Sequence, residues 1–242
     1  MQVRRTFSAS RAWRPTVGAS LARTLGVRIT LSVALIAMTE NHSAQFFDQQ
    51  FQRQVAAADY ALNPFETEAL PYLRGSVLDY GCGLGNLSLE AARRGCSVLA
   101  LDVSHSAIEH IRDVANQHTL ALRAEEADLR TFELAEDFDS IVCIGLLMFF
   151  DCPSAYRQLS QLQDHLRPGG VAVVNVLVEG TTFMDMFALE GHCLFKPAEF
   201  LAQFAGWEVL SYSTQEFKAP GNTRKVFATA VTRKPHAARA DA

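Results

Sequence analysis

An apolar strand that ends on a carboxylate and runs directly into alternate glycines constrains this chain more than any other feature: Val77-Leu78-Asp79-Tyr80-Gly81-Cys82-Gly83-Leu84-Gly85-Asn86. Glycine at Gly81, Gly83 and Gly85 lets the backbone turn sharply at the carboxyl end of a strand. It also lets a flat or charged ligand approach with no Cβ in the way. The stretch reads as the cradle of a nucleoside cofactor.

Beyond the cradle, strand alternates with helix, the grammar of βαβ units and a parallel sheet. Strand Ser76 to Tyr80 leads through the glycine loop to a helix from Asn86 to Arg94, stopped by Gly95, and to a strand from Cys96 to Asp102. The next helix carries a stripe of Ala107, Ile108, Ile111, Val114 and Ala115, with Ser106 and Glu109 at the spacing of a capping box. Strands are expected at Ala121 to Glu125, leading to Asp128, and at Phe138 to Ile144. A helix is expected at Pro153 to Leu166, and a strand at Val171 to Val178 after the Pro168-Gly169-Gly170 turn. An irregular stretch from Glu179 to Phe195 separates this strand from a helix at Pro197 to Ala205. Two strands, Trp207 to Ser213 and Arg224 to Thr232, come next with no helix between them, so they pair antiparallel. The fold class is α/β, a doubly wound sheet of seven strands, mostly parallel with the last antiparallel.

Upstream of the cradle, Phe47, Phe51, Val55 and Ala58 fall on one helical face. A second helix has Asn63 as N-cap, Pro64 at its first position and Glu66 three residues after the cap, and Gly75 ends it. These helices either cover the mouth of the cofactor site or simply one sheet face. A chain of 242 residues with 49% apolar content supports one well-buried domain. It is assigned to 38–233, with N-terminal helices at 38–75 and the sheet core at 76–233. Residues 234–242 are expected to be a disordered tail.

Residues 1–37 form a basic leader outside the fold, without sustained period and without acids. Three readings stay open for it: untranslated upstream sequence ahead of Met38, an organellar transit peptide, and an export signal. Its apolar run Ile29 to Ala37 is too short to span a bilayer, so no membrane partner is expected. The net charge of −4 includes six arginines between residues 1 and 39, so the body is more acidic than the total indicates. That argues against a grip on nucleic acid phosphates. The five cysteines, Cys82, Cys96, Cys143, Cys152 and Cys193, are scattered and never in CxxC spacing. They read as reduced thiols of a cytoplasmic protein, with no metal site and no disulfide framework.

In open α/β sheets the ligand sits at the carboxyl ends of the strands, where the winding reverses. Asp79 ends the first strand, Asp102 the second, Asp128 comes just after the third, and Ile144-Gly145 ends the fourth. A carboxylate in the Asp102 position can accept both hydroxyls of a ribose, at roughly 1.5–3 kcal/mol for hydrogen bonds to a charged group. Asp79 can fix the glycine loop or receive a cofactor ammonium through water. Asp128 and the Leu129 N–H can hold the adenine edge, between walls of Val103 and Ile144. A nicotinamide dinucleotide fingerprint requires glycine where Asn86 stands and has no use for an acid at Asp79. The pattern therefore favours S-adenosylmethionine, bound by Asp79, Gly81, Cys82, Gly83, Gly85, Asp102, Val103, Asp128, Leu129 and Ile144.

These residues resemble the class I S-adenosylmethionine-dependent methyltransferases over about residues 42–233. The resemblance is carried by the glycine stretch, by Leu101-Asp102-Val103-Ser104, Ala127-Asp128, Phe138-Asp139-Ser140-Ile141-Val142 and Leu166-Arg167-Pro168-Gly169-Gly170. It implies a Rossmann-like sheet with its last strand antiparallel, and methyl transfer to a small-molecule acceptor. Leu146-Leu147-Met148-Phe149-Phe150, Phe195, Pro197-Ala198-Glu199-Phe200 and Gly206-Trp207-Glu208 are similar, more weakly, to the tellurite-resistance methyltransferases, whose acceptors are chalcogen oxyanions. That similarity does not extend over Glu179 to Cys193, so the acceptor does not carry over. A soft, already anionic acceptor such as a thiolate or a reduced chalcogen needs no base, whereas a phenol or amine benefits from one. His192 is the only histidine of this loop and the one candidate base. Met148, Phe149 and Phe150 wall the acceptor pocket or belong to the core. A nicotinamide-dependent reductase and a non-catalytic S-adenosylmethionine binder stand as the alternatives from other classes.

Overall fold

Residues 47, 50–55, 57, 60–187 and 191–236 are described by the computed structural model, and seven of their segments form one sheet. The strands are β1 (Ser76–Tyr80), β2 (Ser97–Asp102), β3 (Leu122–Glu126), β4 (Phe138–Ile144), β5 (Leu166–Leu177), β6 (Glu208–Ala219) and β7 (Thr223–Arg233). Their order is β3-β2-β1-β4-β5-β7-β6; β7 runs antiparallel to both its neighbours and every other pairing is parallel. The winding reverses between β1 and β4, so a crevice opens beyond their carboxyl ends.

The helices are α1 (Pro64–Ala69), α2 (Asn86–Arg93), α3 (His105–Gln117), α4 (Cys152–Asp164) and α5 (Pro197–Ala202). Alternation along the strands sorts the core into two layers. Val77, Val98 and Val142 pack with Ala69 of α1 and Leu87 and Ala91 of α2. Leu78, Leu101 and Ile141 point the other way, onto Leu159 and Leu162 of α4 and Phe200 of α5. Both faces of the central strands are covered, which is why β1 and β4 read as almost continuous apolar runs. Among the described residues, no helix is long and apolar enough to cross a membrane.

Local chemistry explains most boundaries and several departures from expectation. The Asn63 side chain accepts from the N–H of Phe65 and of Glu66, while Glu66 Oε2 accepts from the Asn63 N–H at 2.7 Å, completing the capping box. The helix it starts ends at Ala69 and passes into a 3₁₀ turn at Leu70–Tyr72, well short of Gly75. On α3 the cap is Ser104, whose Oγ accepts from the Ala107 N–H, and not Ser106. The Pro168-Gly169-Gly170 turn is absorbed into β5 as a register shift against β4. The terminal hairpin extends beyond both predicted strands. Residue 234 is not loose: Lys234 exchanges backbone hydrogen bonds with Gly169 and Gly170, and its Nζ donates to the carbonyls of Gln163 and Leu166. The leader, Ala58 and the last six residues lie outside the described set.

The reading of five reduced cysteines is overturned. Cys152 and Cys193 form a disulfide across 41 residues of sequence, while Cys82, Cys96 and Cys143 are free and buried. Cys152 opens α4 beyond the carboxyl end of β4. Cys193 returns to the same edge in a segment whose N–H donates to the Met148 carbonyl and whose Phe195 bridges to Val178 beyond β5. Tertiary topology brings the pair together, so no spacing rule reports it. The bond also removes the argument for a cytoplasmic protein that rested on its cysteines.

Candidate functional site

Beyond the carboxyl ends of β1, β2 and β4 lies a cavity of about 380 Å³. Its floor is the glycine loop. Gly81 and Cys82 donate their N–H groups to the Leu101 carbonyl, which bends the chain back over β2. Gly85, at φ +69°, has Ile111 of α3 where a Cβ would stand, 2.6 Å away, so the loop has room for no side chain there. Asn86 begins α2 with its Oδ1 buried and without a hydrogen-bond partner among the described residues. Gly85 as N-cap brings no side chain to the first-turn N–H groups, which leaves that helix end to a ligand.

The acids differ sharply in their surroundings. Asp79 is only 5% exposed, accepts from Ser88 Oγ at 2.7 Å, and has its carboxyl pushed up to about 7. Burial is the main cause, the Ser88 hydrogen bond opposes it, and the negative charges of Glu66 and Asp102 add to it. Asp102 holds the site's shape: Oδ2 accepts from the Gly83 N–H at 2.9 Å and Oδ1 from the Ser104 N–H at 2.9 Å. Asp128 is gripped by the Arg130 guanidinium at 2.9 and 2.8 Å, which holds it below the usual carboxylate range.

Beside Asp128, Leu129 is fixed from behind, since the buried Tyr80 hydroxyl donates to its carbonyl at 2.8 Å and to Gln158 Oε1 at 3.0 Å. Gln158 and Gln161 in turn donate to the carbonyls of Arg130 and Phe132. Val103, 39% exposed, and Ile144 supply apolar walls. The ten residues expected to hold a cofactor all line this one cavity.

His192 does not line it. It is exposed and stacks on Phe187 at 4.9 Å, the outer end of a ring series that runs through Phe149 to Phe47. The cavity's far half is built by groups that sequence reasoning missed or left undecided. Phe47, Gln50, Phe51 and Gln54 line it, and Phe51 packs over Gly83, so this N-terminal segment covers the mouth of the site. Asn175 with an unpartnered buried Oδ1 and Lys225 face the same space, while Glu66, raised by burial, lines the cavity near enough to Asp79 for its charge to act there. The capping box announced Glu66 as a cap alone. For Lys225 the signal was its place in the period-2 pattern of β7 beside Phe227.

Residues 77–170 match a family model described as a methyltransferase domain. Hemagglutinin 1 of Eikenella corrodens is 32% identical over 140 residues, 56% of this chain and 45% of that protein. Malonyl-[acyl-carrier protein] O-methyltransferase of Pectobacterium atrosepticum is 32% identical over 151 residues, 60% of this chain and 58% of that protein. The chain thus spans about half the length of these curated relatives. Among solved structures, TehB from Haemophilus influenzae superposes with a TM-score of 0.63 at 22% identity, covering 72% of this chain and 63% of that one, a likeness of fold.

Proposed function

We propose that this chain, a class I S-adenosylmethionine-dependent methyltransferase by its fold and by the domain at residues 77–170, methylates a small acceptor that is anionic and polarizable at neutral pH. The observation that carries the reading is a single cavity that joins the acid-tipped strand ends and glycine cradle to an aromatic chamber. Bound S-adenosylmethionine would supply an electrophilic methyl on a sulfonium. The chain's own residues fit that cofactor. The Asp102 carboxylate would receive the ribose hydroxyls and the open end of α2 a carboxylate, while the glycines, at positive φ, turn the loop tightly against Phe51 and Ile111. Asp79 takes the ammonium, whose charge offsets the cost of an ionised buried acid.

The chamber's part is to position the acceptor and exclude water, for which proximity contributes ~7–11 kcal/mol in favourable cases. Phe47, Phe51, Phe149 and Phe227 supply the dry wall. Thiolates and chalcogen oxyanions are the acceptors this reading puts first. It is tested by methyl transfer to a panel of thiols, selenite, tellurite, phenols and amines. Asp102→Ala should weaken S-adenosylmethionine binding about 10-fold or more by calorimetry. Unchanged affinity in a folded variant removes Asp102 from the site. His192→Ala should lower turnover by less than ~10-fold, short of the ~100-fold that general-base catalysis contributes. A loss of two orders of magnitude with a phenol or amine as best acceptor would reverse the soft-nucleophile reading.

A further inference from the structure

Charge in the cavity is segregated. Glu66, Asp79 and Asp102 lie around the cofactor half, and Arg130 is consumed by Asp128. Lys225 is the one lysine or arginine lining the cavity that makes no ion pair among the described residues. Its neighbour Arg224 pairs with Glu216 at 3.8 Å, so that acid is engaged elsewhere, and the residue opposite Lys225 on β6 is Phe217. The Lys225 ammonium sits 4.8 Å from the centroid of the Phe183 ring, half-buried, and burial lowers its pKa. The Phe183 ring attracts the ammonium but does not neutralise it, and Lys225 makes no ion pair among the described residues, so part of the cost of its desolvation stands uncompensated. An anionic ligand group offsets that cost. Around it Phe65, Phe227, Phe149 and Met186 form an apolar wall.

We propose that Lys225 anchors the acceptor, and that the acceptor is an organic anion with an apolar body, seated with its charge on Lys225 and its body on this wall. The proposal rests on the methyl-transfer reading and narrows its substrate class to organic anions, setting the chalcogen oxyanions aside. It is tested on the full chain loaded with S-adenosylhomocysteine, by calorimetry with phenylacetate, its neutral isostere phenylacetamide, and selenite. The wild type should prefer phenylacetate to phenylacetamide by about 10-fold or more. Lys225→Met should erase that preference while leaving phenylacetamide affinity unchanged, and Lys225→Arg should keep it. S-adenosylhomocysteine affinity should stay constant across the three proteins, which also reports that the variants are folded. Equal affinity for acid and amide, no binding of the acid, or a preference that survives Lys225→Met overturns the anchor. Lys225-dependent binding of selenite without phenylacetate overturns the apolar body. A wild type that binds neither S-adenosylmethionine nor its demethylated product instead sinks the methyl-transfer reading.

Discussion

At pH 8 and without cofactor, Asp79→Asn is expected to melt at a higher temperature than the wild type and yet to bind S-adenosylmethionine about 10-fold or more weakly. The Asp79 carboxyl is raised from 3.8 to about 7, chiefly by burial at the end of β1. Between those values the folded protein keeps a proton that the unfolded chain has released. Stability is therefore full below the unfolded pKa and falls by about 1.4 kcal/mol per pH unit as pH rises towards 7, levelling above it, a loss of at most about 4 kcal/mol. Glu66, also raised by burial, acts in the same sense. Asp128 and Asp139 are held low by Arg130 and by the Ser76 N–H, so their contributions are lost only as pH falls below the ordinary carboxylate range. Asparagine can still accept from Ser88 but carries no charge. Melting curves of both proteins across pH 5 to 8, with and without cofactor, check the pair of effects. A variant that is less stable at pH 8 and binds cofactor normally would make Asp79 a structural carboxylate.

That the strand ends and the glycine loop line one cavity was legible because their signals are local. A strand, a carboxylate and glycines at fixed spacing specify Asp79, Gly81, Gly83 and Gly85 within a few residues, and the ends of the next strands place Asp102 and Asp128. The far half was hidden because it depends on register. Arg224 and Lys225 look alike as a solvated pair of charges. Only the pairing of β7 with β6 turns Lys225 to the cavity and Arg224 to Glu216. Ser104 and Ser106 both offered a hydroxyl for capping, and the extended backbone at Ser104 decided between them. The N-terminal helix could be read from its period, but its seat over Gly83 is a tertiary fact. Lys234 was lost to a tail assignment because backbone pairing with Gly169 and Gly170 leaves no compositional trace.

Removing the Cys152–Cys193 bond is expected to lower the melting temperature strongly and to impair acceptor use while sparing the cofactor. The bond closes a loop spanning 41 residues. The chain-entropy relation assigns such a loop about 4 kcal/mol at 25 °C. In a domain of this size that corresponds to a fall of ~8–16 °C. The loop contains Phe187, which packs on Phe149 at 5.2 Å, and Met186, buried in the same cluster, so its release loosens the acceptor wall. Asp79 and Asp102 sit on other strands and keep their partners. Cys152→Ala together with Cys193→Ala should therefore raise the acceptor KM and leave S-adenosylmethionine affinity unchanged. Protein purified without reductant and then unfolded should show three free thiols, those of Cys82, Cys96 and Cys143. Five thiols would mean that the bond does not form in solution, and an unchanged melting temperature in the double variant would mean that the fold does not depend on it.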